Sequence, residues 1–116
     1  MESVSFDNVN ELISFADGLF YGEEDFWNKS GRALVVGTGC YLFDRAADVS
    51  PETIVSPVTI RQCLSPLPNL GVRIDSILGV KNLPDETRGD LTGLLANGEK
   101  VQASVYAAVL QALHSL

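Results

Sequence analysis

A chain of 116 residues falls within the size of one domain, and with 46% hydrophobic and 20% charged residues it lies far from the composition of disordered proteins. Its 15 acidic residues against 8 basic ones leave a formal charge of −7, which repels phosphate backbones and argues against nucleic acid as a partner. No apolar run approaches the ~18 residues of a membrane span, and Met1 is followed by Glu2 and Asp7 without a basic or apolar leader, so the expectation is a cytoplasmic protein with no membrane association.

In that compartment Cys40 and Cys63 are expected as reduced thiols in or near the core. With His114 as the one histidine they make no zinc pattern, so no metal and no cofactor is expected. Asn28-Lys29-Ser30 matches a glycosylation acceptor that matters only in a secreted chain. Arg88-Gly89-Asp90, an integrin-type tripeptide, falls inside an expected helix and is read as a chance match.

The first element is an amphipathic helix over residues 8–20, because Val9, Leu12, Ile13, Ala16, Leu19 and Phe20 recur at helical spacing and Asn8 with Glu11 forms a capping box. The stretch from Tyr21 to Gly31 interleaves acids with aromatics and ends in turn formers, and is expected as a loop, or a loop with one helical turn. Ala33-Leu34-Val35-Val36 and Cys40-Tyr41-Leu42-Phe43 read as two buried strands joined by Gly37-Thr38-Gly39, which would make a tight hairpin or a bulge. A third strand is expected at Val72 to Val80, where apolar and polar residues alternate except at Ser76.

Between these lies VSPETIVSPVTI, Val49 to Ile60, in which V-S-P-x-T-I occurs twice. Two copies are too few for a solenoid, whereas Ser as N-cap followed by Pro starts a helix, and Ser-Pro occurs at Ser50-Pro51, Ser56-Pro57 and Ser65-Pro66. Residues 50–53 are therefore read as one helical turn, and a short helix from Pro57 carries Ile60, Cys63 and Leu64; an extended edge strand is the alternative. A helix over residues 83–96 starts at Pro84, Asp85 and Glu86, is weakened by Gly89 and Gly93, and stops at Asn97-Gly98. The last helix runs from Glu99 to the end with a stripe of Val101, Val105, Ala108, Val109, Ala112, Leu113 and Leu116; Tyr106 and Leu110 fall on a second face that would bury against another subunit.

The fold class implied is α+β, one domain over residues 1–116 with a small antiparallel or mixed sheet of about three to four strands packed against N-terminal and C-terminal helices.

Chemistry is thinly marked. Gly37-Thr38-Gly39 after an apolar run begins like a dinucleotide-binding turn, but the third glycine is missing and no helix would open there. Glu23, Glu24, Asp25, Asp44, Asp48 and Asp75 read as solvated surface, and no calcium-loop spacing occurs. A Cys40 or Cys63 dyad with His114 has little to recommend it over buried thiols and a surface histidine. The balance leans away from an enzyme and toward a small acidic protein-binding module of inhibitor, immunity, chaperone or accessory-subunit type. Its contact residues are expected to be Tyr21, Glu23, Glu24, Asp25, Phe26 and Trp27 in the loop with Tyr106 and Leu110 on the last helix; the partner is a protein, basic by charge complementarity, and the chain is expected to form a homodimer. The alternative is a ligand-binding or enzymatic pocket near Gly37 to Cys40.

Overall fold

The computed structural model describes residues 5–22, 24–48, 51–64 and 70–115, and over these the chain is helical with no strand. Six helices follow in order: α1 (Val9–Leu19), α2 (Phe26–Asp48), α3 (Pro57–Leu64), α4 (Leu70–Leu78), α5 (Asp85–Ala96) and α6 (Glu99–His114). Helix α2 is the axis of the fold: each of the other five packs against it.

The α+β expectation is thereby overturned. Ala33–Val36 and Cys40–Phe43, expected as strands, are the middle of one 23-residue helix, and Gly37-Thr38-Gly39 is neither hairpin nor bulge but helix interior. Every residue from Ala33 to Cys40 is buried, so α2 has no polar face there. A short apolar run carries no periodicity by which a buried helix differs from a buried strand. The third expected strand, Val72 to Val80, is α4 and the turn after it. Its buried residues Leu70, Ile74 and Ile77 stand at helical spacing, while Val72 is 64% exposed. Ser76 faces outward and donates its hydroxyl to the Val72 carbonyl at 3.2 Å.

Glycine makes room for the neighbours of α2. A Cβ on Gly37 would stand 2.8 Å from Leu91 Cδ1 and 2.9 Å from Ile77 Cγ2, and a Cβ on Gly39 would collide with the buried Leu12 side chain. Gly31 plays the same part for the Phe20 ring. Thr38, the polar residue at the centre, is buried but donates its hydroxyl to the Leu34 carbonyl at 2.7 Å.

The helix starts follow the sequence signals. The Asn8 side chain accepts from Glu11 N–H at 3.0 Å and Glu11 reaches back to accept from Asp7 N–H at 3.0 Å, so the expected capping pair forms around α1. At α3, Ser56 Oγ accepts from Thr59 N–H at 3.1 Å while Thr59 Oγ1 accepts from Ser56 N–H at 2.8 Å; the second Ser-Pro is indeed a helix start. Pro51 and Glu52 form a turn, while Ser50 and Ser65-Pro66 lie outside the described residues. Gly98, with φ of 85°, makes the sharp corner between α5 and α6. In α6 the buried residues are Gln102, Val105, Val109 and Leu113; Ala108 of the expected stripe is exposed, and Leu116 lies outside the described residues.

Two substitutions test this packing. Gly39→Val should lower stability by roughly 3 kcal/mol or more, because Leu12 is fully buried and has nowhere to yield. Gly89→Ala, at an exposed α5 position with no atom near its Cβ, should raise stability by roughly 0.5–1 kcal/mol. Urea unfolding of both variants gives the comparison.

Candidate functional site

The connector between α1 and α2 is shorter than the loop foreseen, since α2 begins at Phe26. Asp25 caps that start by accepting from Asn28 N–H at 2.9 Å. Phe26 is half-buried against the core and packs edge to face with Trp27, ring centroids 5.3 Å apart at 83°. Trp27 itself is 52% exposed and Tyr21 81% exposed. The connector and the first turn of α2 thus present two aromatic rings to solvent, Tyr21 and Trp27, while Phe20 and Phe26 cover the core.

Arg32 holds the connector in place. Its Nη2 donates to both carboxylate oxygens of Glu24 at 2.7 and 2.8 Å, its Nη1 donates to the Phe20 carbonyl at 2.9 Å, and Asp17 stands 3.8 Å from its Nε. One nitrogen thus bridges both carboxylate oxygens while the other holds the backbone, a set of charge-assisted bonds that fixes the connector. Around it lies a shallow cleft of about 390 Å³ lined by Asp17, Tyr21, Gly22, Glu24, Arg32 and Glu86.

The acids of α5 complete this edge. Burial pushes the Asp90 carboxyl above its ordinary value, Lys29 and Arg32 pull it back, and Glu86 and Glu24 add to the rise. Asp90 therefore belongs to the same group of charges as the connector, and carboxylates from α1, the connector and α5 face one stretch of surface.

Of the contact residues foreseen from sequence, Tyr21, Glu24, Asp25, Phe26 and Trp27 are brought together here, and Glu23 lies outside the described residues. Tyr106 and Leu110 are not part of this edge's cleft. Both are half-buried, and the Tyr106 hydroxyl donates to the Leu64 carbonyl at 2.6 Å, so the second face of α6 is partly covered by the chain's own α3. Sequence reasoning missed Asp17, Glu86 and Asp90. The four-residue spacing of Glu86 and Asp90 marks one helix face, but nothing local says that this face turns toward residue 24.

Gly37 to Cys40, the alternative pocket position, are buried in contacts with α1, α4 and α5. Cys40 is buried and its thiol is pushed up to about 11 by that burial, a poor nucleophile. His114 is exposed with Nδ1 3.3 Å from Arg61 Nη1. Among the described residues no cluster of three metal-ligating side chains forms, and no helix is long and apolar enough to cross a membrane.

Comparison with protein-family models, curated proteins and solved structures yields no match to this chain. Its own residues therefore carry the functional reading.

The raised Asp90 value fixes a pH dependence. A carboxyl that keeps its proton longer when folded than its ordinary 3.8 allows lowers stability as pH rises through the window between the two values. Asp90→Asn removes that loss, so its stability relative to the parent should improve as pH rises from below 3.8 through the raised value of the folded carboxyl. Thermal midpoints of both proteins across that range give the measurement.

Proposed function

We propose that this protein is a binding module that docks a basic segment of a protein partner on the edge made by Tyr21 and Trp27 with Asp17, Asp25, Glu86 and Asp90. The observation that carries the reading is the exposure of Tyr21 at 81% and Trp27 at 52% beside carboxylates from three parts of the chain. Aromatic rings give large contact area at small entropic cost, and surrounding charge selects the partner and guides its approach.

The cations on this edge leave its sign negative. Arg32 is half-buried and already spans Glu24 and Asp17, which leaves Lys29 against the remaining acids. A lysine- or arginine-rich segment would set its cations among the carboxylates and its aliphatic stems on the two rings. Two copies of this chain meeting here would instead oppose acid to acid, so the edge favours a different protein over self-association. The homodimer expected through Tyr106 and Leu110 has weaker footing, because α3 already covers part of that face.

Titration with a synthetic lysine- and arginine-rich peptide, followed by the emission of Trp27, tests the reading. Tyr21→Ala and Trp27→Ala should each weaken binding roughly tenfold or more, the latter read by calorimetry. Asp90→Asn should weaken it by less, and Asp48→Asn, at the other end of α2, should change it little. Equal losses for Asp48→Asn and Asp90→Asn would mean attraction to net charge alone and would sink the proposal.

A further inference from the structure

At the opposite end of α2 two arginines come together on one side of the fold. Arg45, in the last turn of α2, and Arg73 of α4 meet over one ring: their guanidinium carbons lie 5.8 and 4.8 Å from the Tyr41 centroid, and Arg45 Nη1 donates to the Tyr41 hydroxyl at 3.4 Å. They border an open cleft of about 540 Å³, whose remaining wall includes Thr53, Ile54, Gln62 and Cys63. Four segments thus converge, from α2, the α2–α3 connector, α3 and α4.

Two observations mark this cleft as unfinished. Among the described residues the ion pairs belong to Arg32, whereas Arg45 and Arg73 each approach the Tyr41 ring and line the same cleft without an ion pair. In addition, Arg73 Nε is buried with no hydrogen-bond acceptor, which places part of a cation in poor solvent without compensation. Arg45 is exposed and keeps its hydration, so the uncompensated cost lies at Arg73, whose buried Nε an anion in the cleft would satisfy.

The chemistry of that missing charge follows from the donors. A guanidinium offers a planar fork that matches the oxygens of an oxyanion, and two forks answer about two negative charges. A carboxylate supplies one; a phosphate monoester supplies about −1.5 to −2 at neutral pH. Ile54, 59% exposed, gives an apolar rim for an organic body. We propose that this cleft binds a phosphate monoester of a small organic molecule, its phosphoryl oxygens held by Arg45 and Arg73. The negative charge of the whole protein disfavours loose accumulation of anions, so occupancy depends on short-range bonds to these two side chains.

Cys63 supplies the readout, because it lines the same cleft. Burial raises its thiol while Arg73 and then Arg45 lower it again, so an anion on the arginines would both cover the thiol and remove what favours its thiolate. Cys40 is buried and stays silent, so labelling by iodoacetamide reports Cys63; Cys63→Ser serves as the blank. The experiment follows the labelling rate with phenyl phosphate, with inorganic phosphate, and with sodium chloride at matched ionic strength.

Phenyl phosphate is expected to slow labelling saturably and to raise the thermal midpoint of the unaltered protein above that in matched chloride. Arg45→Gln and Arg73→Gln should each shift the protection midpoint roughly tenfold or more, and Arg73→Lys, which keeps the charge but loses the fork, should shift it less. Protection by phenyl phosphate at least equal to that by inorganic phosphate upholds the proposal and tells how much the organic body adds; protection by inorganic phosphate with none by phenyl phosphate overturns it. Slowing no greater than that of chloride, or undiminished in Arg45→Gln, overturns it. Protection by phosphatidic acid vesicles without protection by the soluble phosphates overturns it as well, in favour of a lipid surface.

Discussion

The burial of the middle of α2, residues 33–40, on every side is the constraint from which the rest of the structure follows. A helical segment with no polar face cannot sit at a surface; it needs a coat, and the other five helices pack around it. The coat must also lie close, since gaps forfeit the dispersion contacts that hold a core together. Gly31, Gly37 and Gly39 permit that closeness against Phe20, Leu91 with Ile77, and Leu12. Glycine costs helix propensity at each position, about 1 kcal/mol relative to alanine. That cost is offset by burying large side chains such as Leu12, Ile77 and Leu91 against the backbone of α2.

Around this axis the polar groups close the ends of the coat. Arg88 of α5 donates to the Leu78 and Val80 carbonyls at 2.6 and 3.1 Å, satisfying the end of α4 and tying two helices together. The integrin-like tripeptide thus has its arginine occupied in structure. Gln102, buried in α6, donates to the Leu95 carbonyl at 3.1 Å, and Tyr106 does the same for Leu64. Phe6 N–H donates to the Val55 carbonyl at 2.7 Å, which brings the N-terminal segment onto the connector before α3.

What remains for function gathers at the two ends of α2. Trp27 stands in its first turn and Tyr41 14 residues later, a rise of about 21 Å along the axis. Asp17, Glu86 and Asp90 stand near the N-terminal end, and Arg45 and Arg73, with no ion pair among the described residues, near the C-terminal end. A basic segment and a phosphate monoester could therefore be held at once without competing for any side chain.

Much of this chain was legible without coordinates. Asn8 and Glu11 marked the start of α1, Ser56-Pro57 the start of α3, and Asn97-Gly98 the corner before α6, because capping and turn chemistry act within a few residues of one another. The aromatic and acidic character of residues 21–27 could also be read directly, as a matter of composition. The sheet was the error, and it arose where local signals are weakest: the apolar run before Gly37 and the β-branched alternation near Val72 fit either secondary structure until their neighbours are known. Helix won because the middle of α2 is covered all round, which makes its glycines contact points where sequence alone suggested turns. The two candidate sites belong to tertiary structure in the same sense. Glu86 and Asp90 reach the connector, and Arg73 reaches Tyr41, across distances in sequence that no spacing rule spans. Local chemistry set the caps, the acidity and the exposed-ring composition; packing around α2 decided the fold class and which charges meet, since burial and long-range proximity are properties of the folded chain as a whole.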